Sequence, residues 1–342
     1  MIRKRPMAAA IVFLAAALGP AVAILKPKKQ SRSNSDTIDV TVTPRTQPQK
    51  RVSIVAAEDL KNPKIAWPTI LLFVTALAGA SGSAYAGWKG KIHPVAAIAI
   101  QSICQFVLFT PAHDATHSAI GKGRYKWMNN LIGRVYGWTI LAPFGALRYC
   151  HLQHHKNTNI EHHDPDMWAS GGTLPRVFLP FFWMTQDLHY YTVYLPRIFT
   201  RPKAEVVESI STLFVLYGLV VYGFRKGYGE KIVLHWLLPL RLSVMMLAFS
   251  FDYVPHRPHK VDIKANPYLA TTKIDGLFSK DDVNLDWLIL FQNYHNIHHL
   301  YPTIPFYNYK KIWVKYEKEL LVLGTPVGHF ISTDPWFAKP RG

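Results

Sequence analysis

His151-Leu152-Gln153-His154-His155 and His295-Asn296-Ile297-His298-His299 are the two stretches on which the reading of this chain turns. Both have the form HxxHH. Residues three and four apart share one face of a helix, so each stretch aims three imidazoles at one point. His113-Asp114-Ala115-Thr116-His117 adds a pair at i and i+4, and Tyr253-Val254-Pro255-His256-Arg257-Pro258-His259 adds His256. The three clusters supply eight donors and His256 a ninth. One zinc ion takes four protein ligands, or three at a catalytic centre. Nine donors therefore fit a pair of metal ions, and imidazole with open coordination positions suits iron and oxygen chemistry. His93, His189, His235 and His329 read as interfacial or packing residues, and His162 and His163, beside Asp164 and Asp166, either as supports for the metal ligands or as surface residues.

Around these clusters the chain is blocky and apolar. Trp67–Gly87 and His93–Ala112 approach the ~20 residues that cross a bilayer, and the short turn 88–92 joins them. Ser209–Phe224 and Ile232–Phe251 form a second such hairpin around Arg225–Glu230. Two spans precede His113, none separates it from His155, two lie between His155 and His256, and none follows. Every histidine cluster thus falls on the same membrane face, as a shared metal site requires. Leu131–Arg148 and Thr173–Tyr194 are also apolar, but Arg134, Arg176 and Asp187 interrupt them and Pro143, Pro175 and Pro180 punctuate them. They are expected to lie in the interface or to be partly inserted. The expectation is an all-α membrane protein of four transmembrane helices under a histidine-rich cap.

Composition agrees. The 342 residues are 49% hydrophobic and 18% charged, against about 25% charged in an average soluble protein. The net charge of +18 reads as attraction to anionic headgroups, not nucleic acid, given apolar runs of this length. Lys89, Lys91, Arg225 and Lys226 occupy the turns on the other face, so basic-residue bias does not orient the chain. Cys104 and Cys150 form no CxxC and read as packing residues. Met1–Ala23 has a basic n-region (Arg3, Lys4, Arg5), a short apolar core and small residues at Ala21-Val22-Ala23, which marks a targeting segment. The Ser-, Thr- and Lys-rich stretch after it suggests a bipartite plastid address; a plain signal peptide or an N-terminal anchor is the alternative. Residues 1–60 are expected to form a targeting or disordered segment, and 61–342 the membrane domain.

The histidine set resembles the membrane fatty-acid desaturase and hydroxylase superfamily. Within it, His151–His155 followed by Asp164-Pro165-Asp166, then Phe251–Pro258, then Gln292–Tyr309, is most similar to the cyanobacterial-type beta-carotene hydroxylases. The related ketolases share the Pro-His-Arg-Pro element. The resemblance runs from about residue 65 to residue 315. It implies four transmembrane helices under a di-iron cap, with His113, His117, His151, His154, His155, His256, His295, His298 and His299 as the metal ligands. Asp252 and His259 are candidates to reach the metal or its ligands. Asp114, Asp164, Asp166 and Asn293 are candidates to orient imidazoles.

The implied chemistry is oxygen-dependent hydroxylation of a carotenoid ring, with two irons and O2, and with electrons from a ferredoxin-type donor. No protein general base is required. Phe109, Trp138, Trp183, Tyr190, Tyr191 and Tyr294 are candidates to line a path for a polyene or to form an interfacial belt. A fatty-acyl desaturase and a ketolase are alternatives on the same scaffold. A non-catalytic histidine-rich metal-binding membrane protein is the alternative of another class. It fits less well, because the clusters lie at span ends and not in mid-membrane.

Overall fold

A computed structural model describes residues 53–331; the expected targeting segment lies almost wholly outside the described residues. Pro68 and Pro94 sit in the first turns of α1 (Trp67–Trp88) and α2 (Pro94–Thr116), where a missing N–H costs nothing. His93 caps α2, its Nδ1 accepting from the Val95 N–H at 3.3 Å. The two helices pack along their length because small residues line the seam. A Cβ at Gly79 would lie 2.8 Å from the Cys104 Sγ.

α3 (Trp127–Thr139) and α4 (Phe144–Asn157) form a helical hairpin that pushes its tip in among the spans. Ile140, Leu141, Ala142 and Phe144 share one buried cluster with Phe73, Leu108, Leu216 and Leu240. Two glycines let the hairpin close. A Cβ at Gly133 would meet the Phe144 ring at 2.3 Å, and one at Gly137 would meet the Ala142 carbonyl at 2.4 Å. Irregular backbone at this depth must be satisfied by protein. Trp236 Nε1 donates to the Thr139 carbonyl at 2.8 Å, and the Tyr191 hydroxyl to that of Leu141 at 2.5 Å. The tip of the Leu131–Arg148 segment is therefore enclosed by the spans, as in the partly inserted arrangement.

A helical turn, Leu179–Trp183, and α5 (Gln186–Tyr194) precede the second pair of spans, α6 (Lys203–Arg225) and α7 (Gly229–Tyr253). Only 17% of the apolar window of α6 is covered by protein, against 50% of that of α2; α2 is central and α6 faces lipid. Two of the charges that interrupt the apolar runs, Arg134 and Asp187, are paired. Arg134 makes a two-pronged bond to Glu208 at 2.8 and 2.6 Å. Arg241, inside α7, is held by Asp187 of α5 and donates to the Met184 carbonyl at 2.6 Å. An ionised residue inside a span requires such a partner. α7 contains two π-helical stretches, Val233–Leu237 and Ala248–Tyr253; the second ends just before His256.

α8 (His295–Leu300) and α9 (Tyr309–Val322) complete the cap. The polar insert 260–282 is anchored by β1 (Lys273–Ile274), which pairs in parallel with β2 (Val327–Gly328). Asn159 Nδ2 ties the insert down through the Val261 and Ala270 carbonyls, at 2.8 and 2.7 Å. On the N-terminal side, Val55 is buried, and Asp59 accepts from the Tyr316 hydroxyl at 2.7 Å and from Lys315 at 2.5 Å. Packing thus begins before residue 60.

Candidate metal centre

α2 brings His113 and His117 to its cap end, α4 carries His151, His154 and His155, His256 follows the π-helical end of α7, and α8 carries His295, His298 and His299. These nine converge, but not as two HxxHH triads each aimed at one point. His113, His117, His151, His155 and His298 form one group, and His154, His256, His295 and His299 another. The ligand atoms within each group lie within 4.8 Å of one another. Each HxxHH motif is therefore divided between the two groups.

The nitrogen spacing is that of ligand polyhedra. In the first group, the Nε2 contacts His117–His151, His151–His155 and His155–His298 measure 2.8, 3.0 and 2.7 Å. In the second, His154–His299, His299–His295 and His295–His256 measure 3.2, 3.0 and 2.9 Å. Two nitrogens at right angles on a metal about 2.1 Å away stand about 3.0 Å apart. Hydrogen bonding alone does not account for these chains. An imidazole nitrogen offers one N–H or one lone pair, so at most two contacts in each chain of three can be hydrogen bonds. Burial, and then the neighbouring imidazoles, holds His151, His155, His256, His295, His298 and His299 well below the ordinary histidine range. Neutral rings with free lone pairs are the form that binds metal.

His154 behaves differently. Burial lowers its pKa, but the Asp164 and Asp166 carboxylates outweigh burial and raise it to about 9. Its Nδ1 lies 2.7 Å from Asp164 Oδ1. The field that favours a proton here equally favours a metal cation on Nε2. Two further orienting bonds had no reading in sequence. Tyr309 Oη lies 3.0 Å from His298 Nδ1. Thr158 Oγ1 lies 3.3 Å from His299 Nδ1 while donating to the His154 carbonyl at 2.8 Å. The Thr158 position is legible in retrospect, since it stands four residues after His154 on the same helix face.

Apart from Asp166, the other sequence candidates make their bonds away from the imidazoles. Asp114 accepts from Thr69 Oγ1 at 2.9 Å and from the Phe306 N–H at 3.2 Å, tying α1, α2 and the cap together and touching no imidazole. Asp252 accepts from Gln186 Nε2 at 2.5 Å and belongs to neither histidine group. Asn293 donates to Asp286 at 2.9 Å, and Lys310 holds the same carboxylate at 2.7 Å. His259 belongs to neither group, its ring 6.3 Å from that of His256. Asp166 accepts from the Tyr190 hydroxyl at 2.5 Å and lies 3.5 Å from His154 Nδ1. Of the aromatic candidates, Phe109 adjoins the centre: its ring is 5.6 Å from His113, 4.8 Å from Phe251 and 6.1 Å from Tyr136. Trp183, Tyr191 and Tyr294 pack elsewhere.

Comparison with known proteins matches the model of the fatty acid desaturase family to residues 91–330. The chain is 27% identical over 281 residues to an sn-1 oleoyl-lipid 12-desaturase from Picosynechococcus sp., covering 74% of this chain and 76% of that protein. It is also 27% identical over 202 residues to a beta-carotene ketolase from Paracoccus sp., covering 58% and 71%. An omega-6 fatty acid desaturase of the endoplasmic reticulum from Brassica juncea is 23% identical over 275 residues, covering 63% and 65%.

Proposed function

Within the fatty acid desaturase family, to which this chain belongs, we propose that it is a di-iron hydroxylase acting on a carotenoid ring. Family membership, the histidine centre and four spans make it a desaturase-type membrane oxidoreductase. The observation that carries the metal assignment is the pair of imidazole sets with contact edges of 2.7 to 3.2 Å. One iron would be held by His113, His117, His151, His155 and His298, and the other by His154, His256, His295 and His299.

When bound, the iron pair supplies oxidation by O2 of an unactivated C–H bond. The balance is one C–H, one O2, two electrons and two protons in, with one C–OH and one water out. The chain holds the imidazoles. Asp164, Thr158 and Tyr309 fix the tautomers by accepting Nδ1–H. Phe109, Phe251 and Tyr136 give the approach to His113 apolar, water-excluding walls. Electrons come from a ferredoxin-type donor, whose acidic surface suits a chain of net charge +18. The targeting pattern of residues 1–60 places the enzyme in a plastid membrane; a fluorescent fusion of the full chain found outside plastids would remove that element.

The carotenoid reading is supported by the similarity of Phe251–Pro258 and Gln292–Tyr309 to carotenoid hydroxylases, and by the beta-carotene ketolase among the relatives. A second reading, acyl-lipid desaturation, is favoured by the longer match to the oleoyl-lipid desaturase. The test is expression of the full chain in bacteria that accumulate beta-carotene, beside His298→Ala. Alcohols one or two oxygens heavier, absent in the variant, are expected. Ketones would move the assignment to ketolase. Unchanged pigment with iron bound and ferredoxin supplied would overturn the carotenoid reading and turn attention to new double bonds in the host lipids.

A further inference from the structure

The two histidine groups are not equally enclosed. All four rings of the four-histidine group are buried, whereas His155 of the five-histidine group is half-buried. The face of α4 beside His155 is left uncovered. Arg148, Leu152 and Lys156 follow one another there at four-residue steps, neighbours on the helix surface, and all three are exposed. α4 starts at Phe144, buried among the spans with Leu216 and Leu240, and runs outward to the cap. At 1.5 Å per residue, Arg148 stands about 6 Å and Lys156 about 18 Å beyond Phe144 along the helix.

The charge of this face is not neutralised. Among the described residues neither Arg148 nor Lys156 forms an ion pair, and Arg148 is close enough to His117 for its charge to act on that imidazole. The carboxylates that adjoin α4 are engaged elsewhere. Glu205 of α6 lies against Gly145 but is held by Arg201, whose guanidinium covers the Tyr149 ring at 4.8 Å. Asp164 and Asp166 face His154, and Glu161, beyond the end of α4, faces His162 at 3.7 Å. The loop that leaves His117 adds Lys122 and Lys126, and the Lys122 N–H donates to the Lys64 carbonyl at 3.0 Å, which brings a third lysine alongside. Leu152, 39% exposed, is thus an apolar residue between unpaired cations, the arrangement that meets an acidic protein surface. Anionic headgroups share the preference for positive charge, but a headgroup layer follows the membrane plane, and these cations are strung along the helix that leaves it.

We propose that this face of α4 is the docking surface of the electron donor, an acidic ferredoxin-type protein seated on Arg148, Leu152 and Lys156 with the half-buried His155 as the edge at which electrons enter. It rests on the donor class given above and is independent of the substrate. Arg148 and Lys156 steer the encounter, and Leu152 supplies the apolar contact. Each docking passes one electron, oxidising the donor and reducing the centre by one, so two successive dockings supply the two electrons of the balance already stated.

The test uses the full chain, loaded with iron, in nanodiscs of neutral lipid, and a plant-type [2Fe–2S] ferredoxin. Two quantities are read without substrate: equilibrium binding of the oxidised ferredoxin, and the second-order rate at which the reduced ferredoxin reduces the iron, beside reduction by dithionite. Arg148→Gln/Lys156→Gln is compared with Lys89→Gln/Lys226→Gln, which makes the same change in net charge at the exposed turns on the opposite membrane face. The α4 variant is expected to lose about threefold to tenfold in both quantities at low salt, with the difference shrinking at high salt, while the control stays near wild type. Leu152→Ala is expected to weaken binding by a similar factor at low and high salt. A loss in the α4 variant no greater than in the control would overturn the docking surface and leave the donor class intact. An equal slowing with ferredoxin and dithionite would also overturn it, by placing the effect on the centre. Unchanged ferredoxin binding with lost stabilisation by phosphatidylglycerol would replace it with a lipid contact. A wild type that dithionite reduces, but that ferredoxin neither binds nor reduces, would remove the donor class and the docking surface together.

Discussion

Replacing Asp164 by Asn changes one charge and no volume, and the structure gives its cost. Asp164 Oδ1 faces His154 Nδ1 at 2.7 Å and the Asp166 N–H at 2.9 Å; Oδ2 faces the Asn159 N–H at 2.7 Å. All three are donors when His154 binds metal through Nε2. An asparagine has one oxygen and one NH2, so in either orientation its NH2 opposes at least one donor. Loss of a charge-assisted bond is worth about 1.5–3 kcal/mol. That agrees with the 10- to 100-fold loss of metal affinity typical when a ligand's supporting partner is removed, or about 1.4 to 2.7 kcal/mol. The loss should be confined to the four-histidine site, because His154 belongs to that histidine group and not to the five-histidine one. Tyr309→Phe removes a neutral bond of 3.0 Å to His298. It should weaken the five-histidine site instead, by about two- to tenfold. The assay is iron release from the purified full chain against a graded chelator, followed as two steps. Wild type should lose two irons, Asp164→Asn should shift one step, and Tyr309→Phe should shift the other by less. If Asp164→Asn left both steps in place, or moved them equally, the division of the histidines into separate supported sites would be wrong.

Three further outcomes follow from particular contacts. Asp187→Leu strands Arg241 inside α7 and should destabilise the protein in detergent by about 3–5 kcal/mol, with Asp187→Leu/Arg241→Met recovering most of it; equal melting of the single and double variants would exclude a paired charge. Burial, above all, lowers the Lys273 pKa to about 8, against about 10.4 in an unfolded chain. The unfolded state then binds more protons between those values, so this residue should make stability rise with pH from about 8 to about 10.4. Chemical denaturation across that range should show the rise, and Lys273→Met should flatten it. Gly133→Ala, whose Cβ would meet the Phe144 ring at 2.3 Å, should force α3 and α4 apart, cost about 1–3 kcal/mol, and lower iron content, because α4 carries three of the nine histidines.

The spans were legible because a twenty-residue apolar run has few alternatives. Their ends were less so. The span expected from Ser209 begins at Lys203, since a helix continues past the apolar zone with charged residues such as Glu205 and Glu208 in its outer turns. Arg134 and Pro143 give the α3–α4 hairpin an interfacial or partly inserted reading. In the structure Arg134 is neutralised by Glu208, and Pro143 sits at the tip just before α4 begins. The pairing of Arg134 depends on a partner 74 residues away in sequence, which local pattern does not contain.

The same distinction applies within the site. Convergence of the nine histidines followed from spacing and topology. Their division into two groups did not, because it depends on how α4, α8 and the end of α7 face one another. Asp252 lies four residues before His256, one turn of a regular α-helix. Residues Ala248–Tyr253 are π-helical, so each turn takes more than four residues, and Asp252 turns instead to Gln186. Residues 300–309, whose similarity reaches furthest past the ligands, prove to support them: Tyr309 holds His298 and Phe306 anchors Asp114. Substrate choice belongs to surfaces that meet the substrate, and Phe109, Tyr136 and Phe251 beside His113 are the candidates. Exchanges at those positions, rather than in the histidine motifs, are therefore where one activity of the family is expected to convert into another.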